Sequence, residues 1–322
     1  MKRFSKLFIL AICVLFGTTL FAQSGEYDSY LQTAEQRLRE GNCEKAQSNY
    51  DVYKETTGKS NADLQRRINE CKNPSAATTN NTNSNASSGS NFTTTVNGYS
   101  FTMVYVKGGT FTMGCTSEQG SDCWDEEKPA HSVTLSPYYM GQYEVTQGLW
   151  KAVMGNNPSY FKGDKLPVEN VSWEDAQDFI VKLNRLTGEK FRLPTEAEWE
   201  YAVRGGSKSV GYKYSGTYSP DNCAWYDGNS GSTTHVVGTK SANELGIYDM
   251  SGNVWEWCQD WFGNYSSSSQ TNPTGSNSGS FRVFRGGSWY FNARDVRVST
   301  RNYRTPGNRS NRLGFRLARS SR

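Results

Sequence analysis

Histidine is almost missing from this sequence: His131 and His235 are the only two. Isolated imidazoles in polar, loop-like contexts do not make a metal cluster, and both read as solvated or structural. No Cys-x-x-Cys occurs, which excludes a zinc ribbon and a thioredoxin-type redox motif. An excess of one charge is lacking too. Lys+Arg 35 against Asp+Glu 31 gives a formal charge of +4, too mild to argue for nucleic acid or an anionic membrane as partner. Aliphatic residues are scarce and mean hydropathy is −0.73, so long regular helices should be a minority. What is plentiful is 9 Trp, 19 Tyr, 15 Phe and 31 Gly. That balance predicts a loop-rich fold with cores built from large rings.

The one long apolar run lies at the start, Leu7 to Phe21, behind the basic Lys2, Arg3 and Lys6. With the small residue Ala22 before Gln23, residues 1–22 read as a cleaved signal peptide. The alternative, an uncleaved anchor, needs ~20 apolar residues, and Gly17-Thr18-Thr19 weakens the end of this shorter run. Cys13 follows Ile12, a poor fit for a lipoprotein site. Export predicts disulfides, and setting Cys13 aside leaves Cys43, Cys71, Cys115, Cys123, Cys223 and Cys258. Sequence alone leaves their pairing open. Position favours Cys43 with Cys71 and Cys115 with Cys123, leaving Cys223 and Cys258 as the weakest-founded pair.

Residues 23–72 read as a helical module. Tyr27, Tyr30, Leu31, Ala34 and Leu38 recur at helical spacing, and Gly41-Asn42 stops that helix. Cys43, Ala46, Tyr50 and Tyr53 share a second face; Leu64, Ile68 and Cys71 share a third. This hairpin resembles a single tetratricopeptide-type unit, and a spacer or docking hairpin is the plainer alternative. Residues 73–95, rich in Asn, Ser and Thr, read as a flexible linker. From residue 96 to 322 the texture changes to a second domain. Tyr99 to Val106, Gly109 to Met113 and Ser132 to Tyr139 read as strands. Thr146 to Met154, Ser172 to Leu186 and Thr195 to Val203 read as helices, with capping signals in Ser172 with Asp175 and in Thr195 with Glu198.

Ordered blocks then carry a resemblance. They are Val106-Lys107-Gly108-Gly109-Thr110-Phe111-Thr112-Met113-Gly114, Tyr143-Glu144-Val145-Thr146, Pro167 to Trp173, Arg192-Leu193-Pro194-Thr195-Glu196-Ala197-Glu198-Trp199-Glu200, Leu245 to Trp257, Arg285-Gly286-Gly287-Ser288-Trp289 and Leu313-Gly314-Phe315-Arg316. In order and spacing this resembles the formylglycine-generating enzyme (sulfatase-modifying factor) family. The resemblance implies a loop-rich α+β fold related to C-type lectins, with little regular secondary structure, preceded here by the small helical module. It also implies an oxidase that converts a sulfatase cysteine to formylglycine with copper, oxygen and two cysteines of its own.

Those cysteines fall three and eight residues beyond the motif serine, Ser288, where this chain has Phe291 and Val296. Neither can hold copper, so copper is not expected as a cofactor. Ser288 and Trp255 keep the family's residue type. An iron-dependent branch of the superfamily uses three histidines that this chain lacks. The resemblance implies calcium instead, at Asp249, Met250, Gly252 and Val254 through mixed carboxylate and carbonyl oxygens, with a weaker second neighbourhood at Asn222. Asp249 as a plain turn residue is the alternative.

The acidic run Asp122, Asp125, Glu126 and Glu127 reads as a solvated loop. The C-terminal arginines are expected to pair with carboxylates, carbonyls and ring faces, and Arg294 and Arg297 are candidates for lining a groove. With Trp255, Ser288 and Trp289 as its floor, that groove would hold a peptide or glycan. The expected function is an exported, non-catalytic binding or assembly module. It would act in the periplasm, at the outer membrane or outside a gram-negative cell, on a protein or glycan partner, with no nucleic acid and no stable membrane anchor. Two alternatives stand beside it: an oxidase with displaced thiols at Cys223 and Cys258, and a calcium-dependent lectin-like glycan binder.

Overall fold

The computed structural model describes residues 33–34, 36–38, 42–57, 60–72 and 89–321. The expected signal peptide, the periodicity at Tyr27, Tyr30 and Leu31, and residues 73–88 of the expected linker lie outside the described residues. The chain divides into two compact units, Met1–Thr79 and Asn80–Arg322.

In the first unit, residues 33–34 and 36–38 are helical, followed by α1 (Cys43–Thr57) and α2 (Ala62–Lys72). Asn42 caps α1 by accepting the Lys45 N–H at 3.2 Å, so it starts a helix as well as ending the expected stop signal. Asn61 caps α2 through the Leu64 N–H at 2.9 Å. The Tyr50 hydroxyl bonds both the N–H and the C=O of Asn61, fixing that corner. Ala34, Leu38, Ala46, Tyr50, Tyr53, Leu64 and Ile68 form the buried core. Cys43 and Cys71 are bridged, tying the first residue of α1 to the last turn of α2, so the two run antiparallel.

The second unit is α+β with short elements, as its composition predicts. Its strands are β1 (Phe92–Val96), β2 (Tyr99–Val106), β3 (Gly109–Met113), β4 (His131–Leu135), β5 (Tyr138–Gly141), β6 (Phe191–Arg192), β7 (Trp255–Trp261), β8 (Gln270–Thr271), β9 (Arg282–Arg285), β10 (Arg301–Arg304), β11 (Leu313–Gly314) and β12 (Ala318–Ser320). They form a five-stranded sheet β1-β2-β5-β12-β6, a four-stranded sheet β10-β9-β7-β11 and a three-stranded sheet β3-β4-β8. Two expectations are corrected. The linker ends before residue 95, because Phe92, Thr94 and Val96 alternate inward and pair with β2 as β1. The run Ser132 to Tyr139 is two strands in two different sheets, β4 and β5. Pro137 interrupts the ladder, and the Ser136 N–H turns to Asn272 Oδ1.

The helices are α3 (Gln147–Met154), α4 (Trp173–Thr187), α5 (Glu196–Val203) and the short α6 (Pro220–Cys223). Thr146, Ser172 and Thr195 cap the first three through their hydroxyl oxygens, and the last two close capping boxes with Asp175 and Glu198. Trp150 stacks on Phe179 at 5.2 Å and meets Phe315 edge-on, so the core is ring-built. Among the described residues no helix is long and apolar enough to cross a membrane.

Every residue of α5 is buried although three of its eight are glutamates. Arginines from elsewhere in the fold compensate them. Arg192 forks onto Glu198, Arg285 and Arg301 meet Glu196, and Arg285 and Arg204 meet Glu200. Burial alone would push the Glu196 carboxyl up, but Arg301 and Arg285 hold it below the usual range. A second buried pair, Arg316 with Glu256, is bidentate at 2.6 and 2.7 Å, and Trp199 Nε1 donates to the same carboxylate at 2.8 Å.

Candidate functional site

The family motif lies just past β9. Gly286 and Gly287 have φ +100° and +76°, and a Cβ on Gly287 would stand 2.5 Å from Val296 Cγ1, so the turn admits only glycine there. The chain then enters Ser288, whose C=O accepts from the Phe291 N–H at 3.0 Å, and Trp289, whose N–H donates to the Asn253 C=O at 2.8 Å. Asn253 ties the neighbouring loops together. Its side chain accepts from the His235 N–H and donates to Glu144 Oε2 at 2.7 Å. Gly252 before it has φ +83°, and a Cβ there would meet Trp225 O at 2.3 Å.

At the two positions where the family carries thiols, apolar side chains fill the space. The Phe291 ring stands edge-on to Trp255 at 5.6 Å. Val296 is fully buried with Tyr214, Cys223 and Ala224. Trp255 packs in the main core against Phe284, with its Nε1 buried and unpaired among the described residues, and Ser288 is fully buried. Trp289 is buried as well, so the three residues expected as a groove floor lie under the surface, with Phe291 packed on the Trp255 indole.

Cys223 and Cys258 are free thiols rather than a third disulfide. They lie in different core clusters, Cys223 beside Tyr214 and Cys258 among the residues around Trp199 and Val283. Burial raises the Cys223 thiol to about 12 and pushes Cys258 well above its ordinary value. Both stay protonated and poorly nucleophilic at neutral pH. The expected Cys115–Cys123 bridge is present.

Arg294 and Arg297 do not line a groove either. Arg297 is fully buried and forks onto Glu127 at 2.6 and 3.0 Å, with Gln119 and Ser299 completing its shell. Arg294 donates to Asp122 O and lies 3.4 Å above the Trp124 ring. The two arginines pin the Cys115–Cys123 loop and the turn after it. Glu127 therefore leaves the solvated acidic run that the sequence suggested, while Asp122 pairs with Lys213 and Asp125 with Lys128. His131 is buried at the head of β4 with its ring 4.8 Å from Tyr265, and His235 stacks on Trp225 at 3.6 Å.

The motif also belongs to a ladder of rings that sequence reasoning missed, exposed at its two ends and buried at Trp289 between them. Tyr160 (70 % exposed) meets Phe161 at 5.0 Å, Phe161 meets Trp289 at 5.5 Å, and Trp289 meets Tyr290 (52 % exposed) at 5.6 Å. The Arg312 guanidinium lies 3.5 Å over the Tyr290 ring. Nothing in the sequence around Tyr160 links it to Trp289 more than a hundred residues later.

The expected calcium set holds an unusual charge balance. Asp249 is buried at φ +56°; its Oδ2 accepts from the Gly238 N–H at 2.6 Å and its Oδ1 has no partner among the described residues. Met250 and Val254 are fully buried beside it in the chain. Burial raises the Asp249 carboxyl to about 6, and burial with the Asp249 and Glu256 charges pushes Glu144 well up. Asn222 is differently placed. Its C=O accepts from Ser241 N–H, and Lys240 Nζ donates to the adjacent Asp221 C=O at 2.6 Å. Among the described residues there is no group of three or more His, Cys, Asp and Glu able to hold a metal.

Comparison with known proteins matches this geometry to a family. The model of the sulfatase-modifying factor enzyme 1-like domain covers residues 89–321. Chaperone protein LppX of Paenibacillus barcinonensis is 36% identical over 247 residues, spanning 61% of this chain and 81% of that protein. The formylglycine-generating enzyme of Streptomyces coelicolor is 30% identical over 285 residues, spanning 67% of this chain and 88% of that enzyme. Among solved structures, Treponema denticola variable protein 1 superposes with a TM-score of 0.66 at 38% identity, over 71% of this chain and 99% of that one. With the matched region taking in every strand of the second unit and the whole Gly-Gly-Ser-Trp motif, this chain belongs to the sulfatase-modifying factor (formylglycine-generating enzyme) family.

Proposed function

We propose that this protein is an exported, non-catalytic member of the family that holds an extended segment of another envelope protein against the exposed ends of its ring ladder, Tyr160 and Tyr290. The observation that carries the reading is the packing of Phe291 on Trp255 and the burial of Val296, where a copper-binding, oxidising pair of thiols would have to stand. Cys223 and Cys258 supply no substitute, being buried, protonated and in separate clusters. Tyr160, Tyr290 and Arg312, backed by the buried Trp289, are the residue types that dominate protein interfaces, since flat rings and a planar guanidinium lose little entropy on contact. A chaperone name on a relative 36% identical to this chain fits a polypeptide as partner.

The test is to incubate the full chain with copper, oxygen and a peptide bearing Cys-x-Pro-x-Arg, following peptide mass beside an active family enzyme. No conversion is expected, whereas aldehyde formation would restore the oxidase reading. On an array of extended peptides, Tyr290→Ala should weaken the strongest binders by about tenfold or more, the scale of an interface anchor. Unchanged binding would remove the ring ladder from the proposal.

A structural calcium at Asp249 is a second reading, favoured by the unpaired Oδ1 and by the charge count around it. Asp249, Glu144 and Glu256 are buried carboxylates near a single guanidinium, Arg316, which Glu256 already occupies. A hard divalent cation offsets that surplus, and Asp249 with main-chain carbonyls of Met250, Gly252 and Val254 would hold it. At Asn222 the Lys240 ammonium already stands close, which argues against a second ion there. Calcium at a hundredfold over its Kd should add about 2.7 kcal/mol. For a domain of this size that is a rise of roughly 5–10 °C in Tm. Chelation should reverse the rise and Asp249→Asn should remove it; a Tm indifferent to calcium would dismiss the ion.

A further inference from the structure

A cavity of about 630 Å3 opens on the side of the fold where β7 ends, and it shares no residue with the ring ladder. Its wall draws on Glu196 and Ala197 of α5, His131 of β4, Asp260 and Trp261 of β7, Arg301 of β10 and the loops around Asn264 and Thr274. The volume is within the ~300–1,000 Å3 of small-molecule sites. Most of the remaining lining is hydroxyl and amide: Ser266, Gln270, Thr271 and Ser276, with Gly263 and Gly275 between them.

The charges of the wall leave one group available. Arg301 spends Nε and Nη2 on Glu196, and Nη1 on the Glu126 and Gly263 carbonyls. Glu196 also accepts from Arg285 and from the Tyr265 hydroxyl. An anion therefore finds no free cation to meet. Asp260 is different. It is 3 % exposed, its Oδ2 accepts from the Glu196 N–H at 2.9 Å, and its Oδ1 has no hydrogen-bond partner among the described residues. His131, also in the wall, bonds the Pro129 C=O through Nδ1, and among the described residues no hydrogen bond reaches its Nε2. Burial and the neighbouring Glu196 raise the Asp260 carboxyl to about 8, so it carries its proton at neutral pH and draws a cation weakly, the more so with Arg301 beside it. A carboxyl and an imidazole, both on largely buried residues that line the cavity, and a rim of hydroxyls and amides suit a ligand that is uncharged and rich in hydroxyls.

We propose that this cavity is a metal-independent binding site for a neutral saccharide of one or two rings, oriented by Asp260 and His131. Asp260, fixed by the Glu196 N–H, would present Oδ1 to the sugar hydroxyls, and Met113, Ala197 and Pro273 would meet its C–H faces.

Saturation-transfer NMR on the full chain in EDTA tests it, with maltose, cellobiose, lactose and chitobiose as neutral probes and glucosamine and glucuronate as charged ones. At least one neutral disaccharide should give transfer. Asp260→Ala should weaken that probe about tenfold or more, as expected when a buried polar contact is lost. Because Asp260→Ala perturbs a buried network, Thr274→Trp is the companion variant. Thr274 is exposed at the cavity wall, so the indole should block entry with the wild-type Tm retained and the same tenfold loss. Silence from all four neutral sugars, transfer confined to a charged probe, or unchanged binding in Thr274→Trp would each overturn the proposal.

Discussion

Replacing Arg316 by methionine should destabilise the second unit by about 3–5 kcal/mol, the usual cost of removing one partner from a buried ion pair. Arg316 and Glu256 are both fully buried, and the guanidinium also donates to the Gly141 and Tyr248 carbonyls. Without it the one described donor left to Glu256 is the Trp199 indole N–H, in a region that already holds Glu144 and Asp249. Arg285→Met should cost less, because Glu196 retains Arg301 and Glu200 retains Arg204. Urea unfolding of the variants checks the order. Adding Glu256→Gln to Arg316→Met should recover part of the loss, since the stranded charge and not the missing side chain is the larger penalty. A cost for Arg316→Met near that of an exposed ion pair, ~1 kcal/mol or less, would contradict the account.

The same chemistry explains what the sequence disclosed and what it withheld. Ser172 with Asp175 and Thr195 with Glu198 announce helix starts because a cap acts within three residues of itself. The arginine-rich C-terminus announces ion pairing in general, yet not which partner each arginine takes. Glu127 lies 170 residues from Arg297, and nothing local distinguishes it from its exposed neighbour Glu126. The run Ser132 to Tyr139 carries its own break in Pro137, which a central strand does not tolerate, but only the fold shows that its halves go to different sheets. The candidate site divides in the same way. That Phe291 and Val296 are not cysteines is legible at once. That Phe291 packs on Trp255, and that a chain of rings exposed at its ends joins Tyr160 to Tyr290, depends on contacts between segments well separated in sequence.

Cys223 and Cys258 show how an even cysteine count can mislead. Pairing by elimination assumes that every thiol of an exported chain is crosslinked, but a thiol is also a small apolar side chain that packs well in a core. Here each fills a place in its own cluster, and the two bridges that do form close short stretches of chain near thin or irregular structure.

Reduction of Cys43–Cys71, or Cys71→Ser, should unfold the helical pair α1–α2 while leaving the transition of residues 89–321 in place. That larger unit builds its clusters from its own residues. The described core of the small one is seven side chains, and units so small rarely hold without a crosslink. For the sequence separation of 28, closing the loop lowers the entropy of the unfolded chain by an amount equivalent to about 3–4 kcal/mol. That is comparable with the whole stability such a core supplies. Far-UV circular dichroism with and without reductant should show the loss of helix, and limited proteolysis should find new cuts between residues 43 and 72. The Cys115–Cys123 bridge is the internal comparison. Its separation of 8 gives a smaller entropic contribution, about 2–3 kcal/mol. The segment around it is also held by Arg297 on Glu127 and Arg294 on Trp124. Loss of that bridge should therefore lower the midpoint of the larger unit without melting it. A small unit that kept its helices after reduction would mean that Tyr50 on Asn61 and the apolar contacts suffice, and that the crosslink is dispensable.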